Sequence, residues 1–211
     1  MPQYYIKKEE FKIVTLKEIL PYIENAKGLG TKVLIALAFL TGARISELLK
    51  VKKKDIIIDA EKGEFRIRLI SLKTYSSKRY VAAKETGEVL IPPMRELVFD
   101  IHDDPFIEDY VIPALESLKE ESKLFSKSKR WYQYRLEELN QLFHGPVDEY
   151  GENPHYITFH YLRHSCITFI TRELRANISD IKGWTGHRGS SYEVYIIPSA
   201  VDRFKGKMGK R

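Results

Sequence analysis

Residues 31–40 read Thr31-Lys32-Val33-Leu34-Ile35-Ala36-Leu37-Ala38-Phe39-Leu40, followed at once by Thr41-Gly42-Ala43-Arg44-Ile45-Ser46-Glu47-Leu48. Apolar side chains fill nearly every position of the first segment, so a helix built from it has no solvent face and belongs inside the core. Thr41-Gly42 ends that helix. Arg44 and Glu47 therefore emerge directly from the end of a core element.

Upstream, Thr15-Leu16-Lys17-Glu18 spells a capping box, in which the Thr15 hydroxyl and the Glu18 carboxylate satisfy free N–H groups at a helix start. The helix it opens runs to about Glu24, and Gly28 and Gly30 separate it from the core helix. Downstream, Ser46 is expected to cap a short helix through Lys50. The pattern then turns to β: Ile56-Ile57-Ile58 is a β-branched run, and after Glu61-Lys62-Gly63 the residues Phe65, Ile67 and Leu69 alternate with Glu64, Arg66 and Arg68. Tyr80 to Ala82 and Val89 to Ile91 are the next strand candidates, with Pro92-Pro93 expected to close the β region. Helical spacing returns over Tyr132 to Phe143 and Leu162 to Leu174, separated by a Gly- and Pro-rich loop from Gly145 to Pro154. Ser179 is expected to cap a last short helix before Gly186. The predicted fold class is α+β, mainly α, with a small antiparallel sheet inserted after the Arg44 segment.

The chain has 211 residues, enough for one full-sized domain that buries ~70% of its unfolded surface. No repeat or linker divides it, so residues 1–211 are read as one domain. With 43% hydrophobic and 30% charged residues it has a globular composition rather than a disordered or fibrous one. Its longest apolar run, Val33 to Leu40, is far below the ~20 residues of a membrane span, and Met1 to Glu10 has no signal-peptide core. Cys166 is the single cysteine, which excludes an internal disulfide and any cysteine-cluster metal site. An intracellular location is expected, cytoplasmic or associated with the nucleoid.

The formal charge is +6 and the pI near 9.2, which by itself fits a basic protein indifferent to nucleic acid as well as one that meets it. Placement of the charge favours the second. Ser126 to Arg135 interleaves Lys127, Lys129, Arg130 and Arg135 with Trp131, Tyr132 and Tyr134, and the tail 197–211 ends in a basic run without further acid after Asp202. Lys127, Lys129, Arg130, Trp131 and Tyr132 are the candidate DNA-binding residues, at the start of a helix that would dock on the phosphate backbone.

Three distant segments carry the polar residues that need explaining: Arg44 with Glu47, His160 with Arg163 and His164, and His187 with Tyr192 and Tyr195. Each alone has an ordinary explanation as a surface charge, a structural histidine or a packing tyrosine. Together, and in this order, they resemble the catalytic domain of the tyrosine recombinase (phage integrase) family. Leu40 to Leu48 is similar to the family's first arginine box. Ile157-Thr158-Phe159-His160-Tyr161-Leu162-Arg163-His164 is similar to its second, and Gly186-His187 to the pair that precedes the nucleophile. The resemblance runs from about Thr15 to Ile196. It departs from the family in two places. Tyr195 stands eight residues after His187, one fewer than is usual, and Tyr192 stands five after, so Tyr192 is the alternative nucleophile. The separate N-terminal DNA-clamp domain of larger members is expected to be absent.

What the resemblance implies is strand cleavage and rejoining through a 3′-phosphotyrosyl intermediate. In that chemistry Tyr195 attacks the scissile phosphate, and Arg44 and Arg163 hold its non-bridging oxygens through their planar donor forks. Lys73 on the hairpin, with Lys78 as its competitor, protonates the leaving 5′-oxygen. His160 assists proton transfer, His187 donates to phosphate, Glu47 orients the first box, and His164 supports from behind. A tyrosine pKa of ~10 makes a dense cationic site necessary near neutrality. No cofactor and no metal are expected, because cations of the chain itself neutralise the phosphoryl charge. The implied partner is double-stranded DNA with a specific recombination site, bound by a homo-tetramer that assembles on the DNA, with a monomer expected in solution. Two other readings remain: a type IB topoisomerase-like nicking and resealing enzyme, and a DNA-binding regulator without strand transfer.

Overall fold

The computed structural model describes residues 13–71, 85–86, 94–102, 106–116, 118–149, 151, 153–172 and 174–186. The Thr15 capping box forms as the sequence spells it: Glu18 N–H reaches Thr15 Oγ1 and the Glu18 carboxylate accepts from Thr15 N–H at 2.8 Å. It opens α1 (Leu16–Asn25), which turns Ile19, Tyr22 and Ile23 inward. α2 (Leu29–Thr41) is the core helix, with every residue from Val33 to Thr41 buried. Gly42 ends it in the left-handed conformation, at φ +57°. The short α3 (Ile45–Leu48) follows. Ser46 lies inside it rather than capping it. The cap position belongs to Arg44, and Glu47 closes the turn by accepting the Arg44 N–H, a task a carboxylate at this position performs well.

The sheet has three antiparallel strands in the order β1 (Ile56–Asp59), β2 (Glu64–Ile70) and β3 (Met94–Asp100). Asp59 pairs with Glu64 across the first turn, and β2 pairs with β3 from Glu64 with Asp100 to Ile70 with Met94. Phe65, Ile67 and Leu69 are fully buried, as the alternation predicts. The expectation that Pro92-Pro93 closes the β region is corrected: β3 starts directly after them. Its inward side chains are Arg95, Leu97 and Phe99, and a charge on the inner face hides the apolar period that would have marked it. The candidate strands 80–82 and 89–91 lie outside the described residues.

A π-helical turn, Ile107–Val111, runs into α4 (Ile112–Glu116) and packs on α2, with Phe106 edge-on to Phe39. Ser128 caps α5 (Lys129–His144) through the Trp131 N–H. α6 (Phe159–Arg172) packs along α2, starting three residues before the predicted helix and ending before Leu174, which is exposed. α7 (Ile178–Thr185) is capped by Asn177, whose Oδ1 accepts the Asp180 N–H, and Ser179 lies within it. Seven α-helices and one sheet are thus present among the described residues. No helix among them is long and apolar enough to cross a membrane.

Candidate active site

Gly42 fixes where the first box begins. A Cβ there would lie 2.9 Å from both the Cβ and the Sγ of Cys166, and the positive φ already disfavours any side chain. α2 and α6 therefore approach closely at this point, and the chain leaves it toward Arg44. Glu47 is completely buried one turn later. Its carboxylate accepts Arg44 N–H at 3.1 Å, Arg44 Nη1 at 3.2 Å and Arg95 Nη2 at 2.8 Å. Burial alone pushes its pKa up. The Arg95 charge and hydrogen bond, joined by the Arg44 N–H and charge, outweigh burial and hold the carboxyl below its usual range.

The second box is anchored by Asn140 of α5. Its Oδ1 accepts from Tyr22 Oη at 2.8 Å and Ile157 N–H at 2.7 Å, and its Nδ2 donates to the Ile157 carbonyl at 2.8 Å. Thr158 Oγ1 then accepts the Tyr161 N–H and starts α6. His160 and Arg163 follow one turn apart on the same face. Arg163 is only 3% exposed, yet its guanidinium spans two segments: Nη1 donates to the Gly42 carbonyl and Nη2 to the Thr185 carbonyl at 2.9 Å. Trp184 Nε1 adds a bond to the Thr41 carbonyl at 3.1 Å. The end of α7, which leads into Gly186-His187, is tied by these bonds to the first box.

His160 and His164 meet edge to face, with Nε2 to Nε2 at 2.9 Å. One ring must donate and the other accept, so the accepting ring is neutral. Burial, with the charges of His160 and Arg163, pushes His164 down to about 3. Loss of hydration, then the charges of Arg163 and Arg44, lowers His160.

Between α3, α5 and α6 opens a cleft of about 280 Å³ lined by Arg44, Ile45, Ser46, Lys129, Gln133, Thr158, Phe159, His160 and Arg163. Its lining includes four basic side chains and no carboxylate. A dianionic or monoanionic oxygen cluster such as a phosphodiester matches such a lining.

Of the residues expected from sequence, Arg44, His160, Arg163 and Lys129 therefore share one cleft, with Glu47 and His164 buried behind it. Lys127 and Arg130 are exposed at the start of α5, and Trp131 is half-buried beneath Arg135, 5.0 Å from its ring. Tyr132 is placed otherwise than a DNA-contacting residue would be. It is 3% exposed and packs edge-on to Phe125 and Trp131, because it shares the inward face of α5 with Leu136, Leu139 and Asn140. Lys73, Lys78, His187, Tyr192 and Tyr195, and the tail 197–211, lie outside the described residues. The two positions that lead toward them do not: a Cβ on Gly186 would stand 3.3 Å from Ser71 Oγ, so the exit of β2 and the exit of α7 are side by side. Sequence reasoning missed Arg95, Gln133 and Trp184. Gln133 was findable, one turn after Lys129, whereas Arg95 becomes visible only through the strand register.

Residues 10–196 match the sequence profile of the Phage integrase family. No curated protein matches the chain in sequence. In structure it is similar to XerH site-specific recombinase bound to difH substrate in a pre-cleavage complex, with 17% identity and a TM-score of 0.60 over 88% of this chain and 50% of that one. It is similar to XerA recombinase with 17% identity and a TM-score of 0.60, over 91% and 62%. It is also similar to the Tn1549 transposon integrase (aa 82-397) in complex with circular intermediate DNA, with 14% identity and a TM-score of 0.55, over 90% and 62%. The chain spans between half and about three-fifths of the length of these proteins. At such identities the structures speak to the fold, and the profile, covering most of the chain, speaks to the family: the chain belongs to the phage integrase, or tyrosine recombinase, catalytic-domain family.

Proposed function

We propose that the chain cleaves and rejoins DNA strands at specific sites through a 3′-phosphotyrosyl intermediate, without a metal ion. The observation that carries this reading is the cleft in which Arg44, His160, Arg163 and Lys129 converge with no acid among the lining residues. A phosphodiester seated there has its non-bridging oxygens met by Arg44 and Arg163, which stabilise charge that grows in the transition state. His160, with its pKa lowered, is neutral near pH 7 and able to accept the proton of the attacking Tyr195 hydroxyl. Phosphorus–oxygen bond energy passes to the phosphotyrosyl ester, and the 5′-hydroxyl leaves with a proton from Lys73. The reverse attack rejoins a strand without ATP. His187 donates to the same phosphate. Lys127, Lys129 and Arg130 hold neighbouring phosphates, which positions the duplex more than it reads sequence.

The relatives named above include recombinases and an integrase on DNA, and double-stranded DNA carrying a recombination site is the proposed partner. Paired sites held by four copies belong to the same proposal, as does an intracellular place of work. The test is covalent capture: a pool of nicked duplexes with randomised centres, incubated with the chain in EDTA and resolved in detergent. A DNA adduct lost in Tyr195→Phe and kept in Tyr192→Phe supports the reading. The opposite pattern moves the nucleophile to Tyr192, and adducts that need magnesium overturn the mechanism.

A further inference from the structure

Arg95 lies outside every sequence box, yet its side chain is nearly as enclosed as those of Glu47 and Arg163. It sits on β3 opposite Leu69, with a side chain 8% exposed. Nη2 donates to Glu47 Oε2 at 2.8 Å, while Nε and Nη1 are buried without a hydrogen-bond acceptor among the described residues. Its guanidinium also lies under the end of α7, where a Cβ on Gly186 would come within 2.7 Å of Nη1. Burying a guanidinium is costly, so packing alone does not explain it.

Charge does. Glu47 is buried between Arg44 and Arg95, and its two oxygens serve both. With Arg44 alone as partner, the pair would carry no net charge, and the phosphate would meet a cation already neutralised from behind. Arg95 adds a second positive charge on the far side of the carboxylate, leaving the three residues at a net +1 by formal count. Arg44 keeps the orientation Glu47 gives it and still presents positive potential to the cleft.

We infer that Arg95 is a positioning and charge-balancing residue for phosphate binding in this cleft, acting through Glu47 on Arg44. The inference rests on the strand-cleavage reading for its use, but not for its test. His160 lies in the same cleft as Arg44, with Arg163, Lys129 and His164 around it, and its titration reports the local potential. His164 remains neutral throughout the relevant range.

The experiment follows the His160 imidazole by NMR through a pH titration of the full chain and four variants. A more positive surround lowers an imidazole pKa. Glu47→Gln should therefore titrate lowest. The parent, Arg95→Lys and the double variant Glu47→Gln/Arg95→Met should fall together, because their formal net charges are equal. Arg95→Met should titrate highest, since Glu47 then cancels Arg44. Where Arg95→Met does not fold, the remaining order still tests the idea, because the double variant must match the parent and Glu47→Gln must lie below both. A His160 pKa indifferent to these charges overturns the inference. With the captured DNA site, Arg95→Met should slow single-turnover adduct formation roughly tenfold to a hundredfold with little change in DNA affinity, and Arg95→Lys should recover most of it. Equal losses in both variants would mean a purely structural arginine. The predicted His160 order without any DNA adduct from the parent would sink the strand-cleavage reading and leave this one standing.

Discussion

Arg163 Nη2 donates to the carbonyl oxygen of Thr185 at 2.9 Å, a bond from the second arginine box to the helix end that introduces His187. The same guanidinium holds the Gly42 carbonyl, so one side chain sets the spacing of all three segments. Arg163→Ala removes both the bracket and a cation of the cleft. Adduct formation should fall by at least roughly 10²–10³, or ~2.7–4 kcal/mol. Arg163→Lys keeps the charge but not the fork, and should lie between alanine and the parent in single-turnover kinetics. A loss under tenfold for alanine would remove Arg163 from the site.

Glu47 has no access to solvent and answers two arginines. Glu47→Ala strands both charges and should cost about 3–5 kcal/mol of stability in urea unfolding. Glu47→Gln keeps the shape and an acceptor oxygen, so its loss should be smaller. Equal stability of parent and alanine variant would mean that the pairing does not hold in solution.

His164 gives the fold an acid-side weakness. Its folded pKa, pushed to about 3, lies below the ordinary 6.5. Between these values the unfolded chain binds the proton and the folded one does not, so stability falls as pH drops through the window. The slope from this one group approaches ~1.4 kcal/mol per pH unit. Glu47 has a lowered carboxyl pKa, and its contribution is likewise lost on acidification, at lower pH. Urea midpoints measured from pH 7 to pH 4 should decline, and His164→Gln should flatten the upper part of that decline.

Gly42→Ala should destabilise by more than the ~1 kcal/mol of a left-handed residue, because its Cβ would strike Cys166 Cβ and Sγ at 2.9 Å. Adding Cys166→Ala relieves the sulfur but not the Cβ. Thermal melts should show the double variant only partly recovered, and full recovery would show that the helices can separate here.

Lys129 and Tyr132 separate a surface contact from a core one. Lys129→Ala should lower the salt slope of DNA binding by about 1, the loss of one phosphate contact. Tyr132→Phe should leave that slope alone, since the ring is buried against Phe125. An altered slope in Tyr132→Phe would return that residue to the DNA surface.

Much of this was legible in the chain. The Thr15 cap and the all-apolar α2 are local signals, each written within a few consecutive residues, and the structure keeps both. Phe65, Ile67 and Leu69 alternate plainly because one face of β2 is wholly apolar. β3 was not legible, since its inner face includes Arg95, whose partner Glu47 lies 48 residues away. Helix starts slipped for a different reason. Ser46 and Ser179 are good caps in isolation, but a buried carboxylate at Glu47 and an asparagine at Asn177 satisfied the free N–H groups first. Of the cleft, Arg44, Lys129, His160 and Arg163 could be named in advance, whereas the burial of Tyr132 and the inward turn of Arg95 depend on which face each element presents.

Arg163 grips two main-chain oxygens, at Gly42 and Thr185. Every amino acid carries such an oxygen, so the bonds themselves ask nothing of the receiving side chain; at Gly42 it is the left-handed turn and Cys166 that restrict the residue. Thr185 is fully buried, so a small uncharged residue can replace it without erasing the joint. The arginine end has no such latitude, and coding variation should fall unevenly on the two halves of one bond.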